Sequence, residues 1–261
     1  MSRLDPRLLL QCYAAGIFPM ADSRDAAELF WVEPRHRAII RPAGSRGAFH
    51  MSRSLRRTLR SGRFQVTLDR DFAGVVAACA DRPETWINAE IERAMLALHA
   101  SGHAHSIEVW QAGASDAPPL LVGGVYGVRL GRAFFGESMF SKATDASKVA
   151  LAWLVARLKV GGFTLLDCQF MTDHLASLGA VTVSRADYVA LLSAALGGGS
   201  AGGAGSGAGA ESASGDAGRA ERALGASPEF LALDRLLEAT GAAGAARPAG
   251  YVIAQLLGAK S

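Results

Sequence analysis

A Gly/Ala/Ser-rich stretch at residues 197–218 limits the possible folds of this 261-residue chain more than any other feature. It holds ten of the 30 glycines, together with six alanines and four serines. Such a segment cannot bury enough apolar surface to offset the entropy lost on ordering, so it predicts a flexible linker. The chain therefore divides into a globular part, residues 1–196, and a C-terminal tail, residues 219–261.

The tail has two interpretations that the sequence leaves open. Its leucines between residues 224 and 237 have helical spacing, and residues 251–257 are apolar. A helical tail of this kind could dock on the globular part or on a partner. Alternatively, the tail has no function of its own and only reflects the amino-acid bias of a genome with high GC content.

Basic residues are concentrated near the N-terminus, although the formal net charge is only +3. Nine arginines and no Asp or Glu lie between Arg35 and Arg63, and the rest of the chain is acidic. Four of them share one face of a helix predicted over residues 52–60, namely Arg53, Arg56, Arg57 and Arg60. Such a face favours the phosphates of a nucleic acid. A composition bias is the alternative, since Arg outnumbers Lys 23 to four.

The chain lacks the features of a membrane or secreted protein. No run of about 18 apolar residues occurs, and the first ten residues lack a clean apolar stretch followed by a cleavage site. The three cysteines are odd in number and far apart, which excludes a disulfide framework. We therefore expect a cytoplasmic protein without membrane contact.

The pattern of strands and helices predicts an α+β fold. Strands are expected at 106–110, 120–128 and 133–136, followed by a helix at 145–159, a strand at 163–167 and a helix at 185–195. This order resembles the acetyltransferase-like (GNAT) fold with a mostly antiparallel sheet. We expect a small N-terminal domain over 1–65 and a GNAT-like domain over 66–196.

Cofactor motifs are missing from the sequence. Residues 141–146 read Ser-Lys-Ala-Thr-Asp-Ala where acetyltransferases carry a glycine-containing loop for coenzyme A. No glycine-rich phosphate loop follows a strand. His99, His103 and His105 do not share one helical face because Gly102 interrupts them, so a zinc site is not expected. The sequence predicts neither a cofactor nor a metal.

Two segments carry polar groups at the ends of predicted strands. Glu137 lies between apolar residues in 135–141, where it could hold a cationic amine in a cleft or simply face solvent. Asp167 and Gln169 follow an apolar strand and share one face if the backbone is extended, with Cys168 on the other face. No motif pairs Cys168 with a histidine, which argues against a cysteine hydrolase.

Ten colinear motifs over residues 4–195 resemble the leucyl/phenylalanyl-tRNA–protein transferase family. They are Tyr13–Pro19, Trp31–Arg37, Phe49–Arg57, Thr85–Ile87, Gly102–Trp110, Leu121–Val128, Gly136–Ser141, Ala146–Lys148, Asp167–Gln169 and His174–Ala180. The linker and residues 219–261 show no such resemblance.

The resemblance implies an enzyme that moves Leu or Phe from aminoacyl-tRNA to the N-terminal Arg or Lys of a protein, marking it for N-end rule degradation. Met is a further possible donor, and we expect a monomer. Trp31 and Trp86 match family tryptophans near the terminal adenosine. Met139, Leu154 and Leu166 match the apolar pocket for the donor side chain. The arginines between residues 35 and 63 would hold the tRNA acceptor stem.

The resemblance also implies roles for the polar residues. In one hypothesis Asp167 holds the acceptor amine and, through Gln169, assists proton removal. In the rival, Asp167 acts only electrostatically and the ribose 2′-hydroxyl shuttles the proton. Glu137 would orient the basic acceptor in either case.

Two other functions are compatible with parts of the sequence. A non-catalytic RNA-binding protein on a GNAT-like platform would use the basic helix but not Glu137, Asp167 and Gln169 together. An enzyme that transfers amino acids from tRNA to cell-wall precursors would share the fold and donor, but its motif order differs.

Overall fold

The structure is a computed structural model that describes residues 4–43, 47–113, 117–197, 228–241 and 248–258. Within these ranges the chain forms a seven-stranded mixed sheet, a two-stranded sheet and nine helices. The predicted α+β class is confirmed. Most of the predicted linker, from residue 198 onward, lies outside the described residues.

The elements follow one another along the chain as nine strands and nine helices in the described ranges. The strands are β1 (Phe18–Met20), β2 (Phe30–Val32), β3 (His36–Ile40), β4 (Gln65–Leu68), β5 (Ala104–Gln111), β6 (Leu120–Leu130), β7 (Ala133–Ser141), β8 (Leu165–Asp167) and β9 (Val181–Ser184). The helices are α1 (Pro6–Ala14), α2 (Arg53–Arg60), α3 (Phe72–Ala80), α4 (Ala89–Ala100), α5 (Ala146–Val160), α6 (Asp173–Ser177), α7 (Arg185–Ala195), α8 (Ala232–Ala239) and α9 (Ala249–Gly258).

The large sheet has the strand order β4-β5-β6-β7-β8-β3-β9. Strands β7 and β8 run parallel because the helix α5 connects them as a crossover, whereas the other neighbours are antiparallel. The sheet is therefore mixed. Strand β9 has no counterpart among the strands that the sequence predicts.

Strand β3 joins the N-terminal part of the chain to this sheet. It lies between β8 and β9, with Ile39 opposite Asp167 and Arg37 opposite Val183. Residues from the first 40 positions consequently lie beside the polar end of β8.

The sheet is covered on both faces, as the alternation along its strands requires. Phe134 and Leu166 belong to a cluster that includes α2, α5, α8 and α9, while Phe135 and Leu165 belong to a second cluster with α1, α3, α4 and α7. The sequence predicted one apolar face for α5, but 12 of its 15 residues are buried. A helix that is apolar all round needs cover on its outer side.

The tail supplies part of this cover. Phe230, Leu233 and Ile253 are 0–4% exposed and belong to the same cluster as α5. Arg157 of α5 donates two hydrogen bonds of 2.6 Å to the carboxylate of Asp234. The described part of the tail is thus docked on the globular part. No helix among the described residues is both long and apolar enough to span a bilayer.

Candidate active site

A β-bulge turns Glu137 away from the regular pattern of its strand. Tyr126 pairs with Ser138 and Gly127 with Gly136, so Glu137 is the extra residue of β7. Gly127 permits this close approach, since a Cβ at that position would lie 2.1 Å from the Phe135 carbonyl oxygen. The Glu137 side chain is buried, contrary to the simple surface interpretation.

Asp167 ends β8 and is completely buried in a network of donors. Arg37 binds both of its carboxylate oxygens, through Nε at 3.3 Å and through Nη2. The Tyr188 hydroxyl donates to Oδ2 at 2.8 Å, and the backbone N–H of Gln169 donates to Oδ1 at 2.8 Å. Every oxygen of this carboxylate therefore already has partners.

Arg37 is itself held from several sides. Its Nη1 donates to the Gly16 carbonyl at 3.1 Å, and its guanidinium lies over the rings of Phe18 and Tyr188. Burial alone would favour the neutral form, but Asp167 and Tyr188 raise the pKa of Arg37 above its ordinary value. The pair is a buried ion pair joining β3 to β8 and α7.

Gln169 breaks the extended backbone that the sequence analysis assumed. Its φ is +61°, in the left-handed region that residues other than glycine rarely adopt. As a result the alternation of faces does not hold: Cys168 and Gln169 both line the pocket described next, and Asp167 does not. Gln169 Nε2 donates to Glu137 Oε1 at 3.0 Å.

A pocket of about 230 Å³ opens beside Glu137. Its apolar wall includes all three residues predicted for the donor side chain, Met139, Leu154 and Leu166, and Trp86 also lines it. The structure thus brings together six predicted site residues, the other two being Glu137 and Gln169.

Two polar groups that line this pocket lack a hydrogen-bond partner among the described residues, Glu137 at Oε2 and His174 at Nε2. The Tyr13 hydroxyl, which also lacks one, lies near enough to Glu137 to act on its pKa. Burial raises the pKa of Glu137 to about 8, while Tyr13, Arg37 and Gln169 oppose that rise. The carboxyl group is therefore mostly protonated at neutral pH in the unliganded protein.

Burial also explains why Cys168 is not a nucleophile. Desolvation raises the pKa of the Cys168 thiol well above its ordinary value, and Asp167 raises it further. A thiol that stays protonated is inert. Two of the three histidines considered for zinc have partners within the protein: His105 contacts Asp69 at 2.6 Å, and His99 contacts the Ala104 carbonyl at 2.9 Å and Asp69 at 4.0 Å. No group of three or more metal-ligating side chains occurs in the described ranges.

The remaining predicted residues lie outside the pocket. Trp31 is 43% exposed on β2, opposite Pro19 of β1. The four arginines of α2 are exposed. Arg37 belongs to the same arginine-rich segment of the sequence, but its side chain is buried, with 1% of its surface exposed. It is therefore not part of the exposed basic surface of α2.

Sequence reasoning missed three residues of this site, Arg37, Tyr13 and Tyr188. Arg37 was hidden in a run of nine arginines. One sequence signal was available: Arg37 directly precedes Ala38-Ile39-Ile40, an apolar strand expected to be buried. A charge buried beside such a strand needs an oppositely charged partner, which indicates an ion pair. Tyr13 and Tyr188 offered no comparable pattern, since a buried tyrosine is common in any core.

The fold and the pocket define an α+β protein in which a buried carboxyl group with a strongly raised pKa faces an apolar cleft, a combination typical of enzyme active sites. Comparison with known proteins then gives the family. The family model for leucyl/phenylalanyl-tRNA protein transferase matches residues 45–193, and the model for the N-terminal domain of the same transferase matches residues 2–35.

Several similar proteins are named leucyl/phenylalanyl-tRNA–protein transferase. One from Rhizorhabdus wittichii is 56% identical over 238 residues, covering 90% of this chain and 89% of its own length. One from Cereibacter sphaeroides is 60% identical over 195 residues, covering 75% of this chain and 86% of its own. One from Zymomonas mobilis is 57% identical over 197 residues, covering 74% and 70%.

The chain belongs to the leucyl/phenylalanyl-tRNA protein transferase family. The family predicted from the ten motifs is confirmed, and so is the prediction of an aminoacyltransferase. The match to the Rhizorhabdus protein covers so much of the chain that it extends into the tail, so at least part of the tail has a counterpart in that relative.

Proposed function

We propose that this chain transfers Leu or Phe from aminoacyl-tRNA to the N-terminal Arg or Lys of an acceptor protein, and so marks that protein for N-end rule degradation. The observation that carries the proposal is the buried carboxyl group of Glu137, whose Oε2 atom has no hydrogen-bond partner among the described residues, in a pocket with an apolar wall. A cationic acceptor and an apolar donor side chain can meet there.

The apolar wall is proposed to bind the donor side chain. Met139, Leu154 and Leu166 present thioether and methyl groups to a cavity of about 230 Å³. A polar or charged side chain would lose its hydration there without finding partners, which discriminates by about 1–3 kcal/mol per misfit group. The same wall would accept Met, whose side chain is flexible and apolar.

The tRNA is proposed to lie along α2. Arg53, Arg56, Arg57 and Arg60 are exposed on a helix whose apolar residues Leu55 and Leu59 are buried, so the helix is fixed while its charges face outward. Phosphates bound in this way need no sequence readout. Trp86, at the pocket, and the exposed Trp31 would stack on the terminal adenosine.

In the proposed reaction the neutral α-amine of the acceptor attacks the ester carbonyl. The new bond joins nitrogen and carbonyl carbon, the ester bond to the ribose 3′-oxygen breaks, and the proton lost by the amine ends on that oxygen. The ester is already activated, so the protein needs mainly to align the two groups and exclude water. Glu137 and Gln169, which are hydrogen-bonded to each other in the pocket, would orient the acceptor.

Asp167 is proposed to act through Gln169 rather than by direct contact with the amine. Its carboxylate is 0% exposed and receives hydrogen bonds from Arg37, Tyr188 and the Gln169 backbone. This saturation supports the electrostatic hypothesis over the general-base hypothesis. An Asp167→Asn variant is expected to lose less than about 100-fold in kcat, the lower end of general-base contributions. A loss of several thousandfold with an intact fold would favour the base.

Four further features of the proposal rest on the sequence patterns and on the family resemblance. They are a GNAT-like fold over residues 66–196, an N-terminal domain over 1–65, a monomeric state and a cytoplasmic location. Size-exclusion chromatography with light scattering at micromolar concentration tests the monomer.

One assay tests the proposed function as a whole. The protein is incubated with radiolabelled Leu-tRNA and a peptide that begins with Arg, Lys or Ala. We expect label on the Arg and Lys peptides and none on the Ala peptide. Label on none of them, with RNA binding intact, would favour the non-catalytic RNA-binding alternative.

A further inference from the structure

We propose that the docked tail, α8 and α9, holds the arginine helix α2 in its tRNA-binding position. This inference rests on the proposed function of α2. Nothing in the ten family motifs involves the tail, and yet its second helix packs directly against the helix that carries the four arginines.

The contact between α9 and α2 is close. A Cβ atom on Gly250 would lie 2.1 Å from the carbonyl oxygen of Leu59, so the two backbones approach each other where only glycine fits. On the other side of α2, Thr58 donates to Asp145 at the start of α5 at 3.2 Å. The helix α2 is therefore held between α5 and the tail.

The tail also touches two of the four arginines. The Arg60 guanidinium lies 4.8 Å from the centre of the Tyr251 ring. The end of α9 reaches Arg56, whose Nη2 would lie 3.5 Å from a Cβ on Gly258. An arginine stacked on an aromatic ring keeps its charge and loses part of its rotational freedom before the ligand arrives. The tail can thus order Arg56 and Arg60 without neutralising them, since α9 itself carries no acidic residue.

Aromatic and polar contacts attach both helices of the tail to the globular part. Phe230 stacks at 5.6 Å on Phe134 and at 4.3 Å on His105, and the Arg157–Asp234 pair binds α8 to α5. Lys159 donates to the Leu256 carbonyl at 3.0 Å, which ties α9 to the same helix. The position of α9 beside α2 is therefore supported by contacts on both α8 and α9.

A pair of variants in α9 tests the inference. Gly250→Ala forces α9 away from Leu59, whereas Gln255→Ala changes an exposed residue of the same helix. We expect Gly250→Ala to weaken Leu-tRNA binding about fivefold, as the loss of ordered charged contacts implies, and Gln255→Ala to leave it unchanged.

The same experiment separates positioning from stability. The salt dependence of tRNA binding in Gly250→Ala should correspond to about one phosphate contact fewer, while the KM for the Arg peptide and kcat at saturating tRNA stay at the wild-type values. An unchanged affinity and salt slope in Gly250→Ala would overturn the inference. Tyr251→Leu, which keeps the backbone contact, is expected to weaken binding about threefold and decides the matter if Gly250→Ala fails to fold.

Two arginine variants distinguish failure of this inference from failure of the proposed function. Arg56→Ala and Arg60→Ala should each weaken Leu-tRNA binding. If they do not, α2 is not the tRNA site and the proposed function of this surface is wrong. If they do, and Gly250→Ala (or Tyr251→Leu, where Gly250→Ala does not fold) binds tRNA normally, only the role of the tail is refuted.

Discussion

The two buried carboxylates of the site differ in one decisive respect. Asp167 is surrounded by donors, with Arg37 on both oxygens and Tyr188 on one of them. Glu137, whose parent strand is the neighbour of β8, receives a single hydrogen bond from Gln169 and leaves Oε2 without a partner in the described part of the chain. Asp167 is thus paired with a cation of the protein itself, Arg37. Glu137 can accept a cation from a ligand.

This difference follows from the local backbone. The antiparallel pairing of β3 with β8 brings Arg37 beside Asp167. The bulge at Glu137 directs that side chain instead towards a cavity with an apolar wall. The described residues include no cation in an ion pair with this carboxyl group, although Arg82 lines the same cavity. An ion pair stabilises the first position, and an unsatisfied acid at the second is what a binding site for a basic group requires.

The largest expected effect comes from breaking the internal ion pair. Arg37→Met leaves the buried Asp167 without its counterion, and we expect a loss of about 3–5 kcal/mol in the free energy of unfolding. Arg185→Met is the matched control, because the Arg185–Glu33 pair is 60% and 38% exposed and should contribute no more than about 1 kcal/mol. Urea unfolding measures both. Equal losses in the free energy of unfolding for the two variants would contradict the expected larger effect of breaking the buried pair.

A smaller effect is expected from the tyrosine that supports Asp167. Tyr188→Phe keeps the ring against Arg37 but removes a hydroxyl that donates to the carboxylate, and we expect a loss of about 1.5–3 kcal/mol. Tyr126→Phe is the control, since the buried Tyr126 hydroxyl has no hydrogen-bond partner among the described residues. Thermal unfolding distinguishes them, and a larger loss for Tyr126→Phe would contradict the role of Tyr188 in supporting Asp167.

A further stability effect has the opposite sign and depends on pH. The folded protein holds a proton on Glu137 between pH 4.5 and about 8, so this group lowers stability progressively as pH rises through that window. Glu137→Gln removes the cost, and we expect the gain in the free energy of unfolding over the wild type to grow by up to about 1.4 kcal/mol for each pH unit within that window. The gain should shrink towards pH 5. A gain independent of pH would mean that Glu137 does not titrate in this range.

Much of the fold follows from local sequence patterns. The helix predicted over 145–159 lies at Ala146–Val160, and the helix predicted over 185–195 is found at Arg185–Ala195. Strand β9 was missed because its pairing with β3, which places it in the sheet, is a long-range contact. The role of the tail was equally hidden, since nothing local indicates which surface an amphipathic helix will cover.

Some residues of the site could likewise be predicted from the sequence, and others could not. Glu137, Gln169 and the apolar residues were found because polar groups at strand ends and family motifs are visible in the sequence. Arg37 and the left-handed backbone of Gln169 were not, because both depend on the arrival of β3 beside β8. The sequence consequently placed Asp167 in the cleft, whereas the structure places it behind the cleft.

The central claim, that Glu137 receives the basic acceptor, is tested most directly by peptide affinity as a function of pH. The dissociation constant of an Arg-initiated peptide is measured between pH 6 and 9.5 for the wild type and for Glu137→Gln. The dissociation constant of the variant is divided by that of the wild type, which cancels titration of the peptide's own amine. This ratio should be near one at pH 6 and rise to about tenfold or more above pH 8, as a hydrogen bond to a charged group implies. A ratio that stays at one throughout would contradict the account.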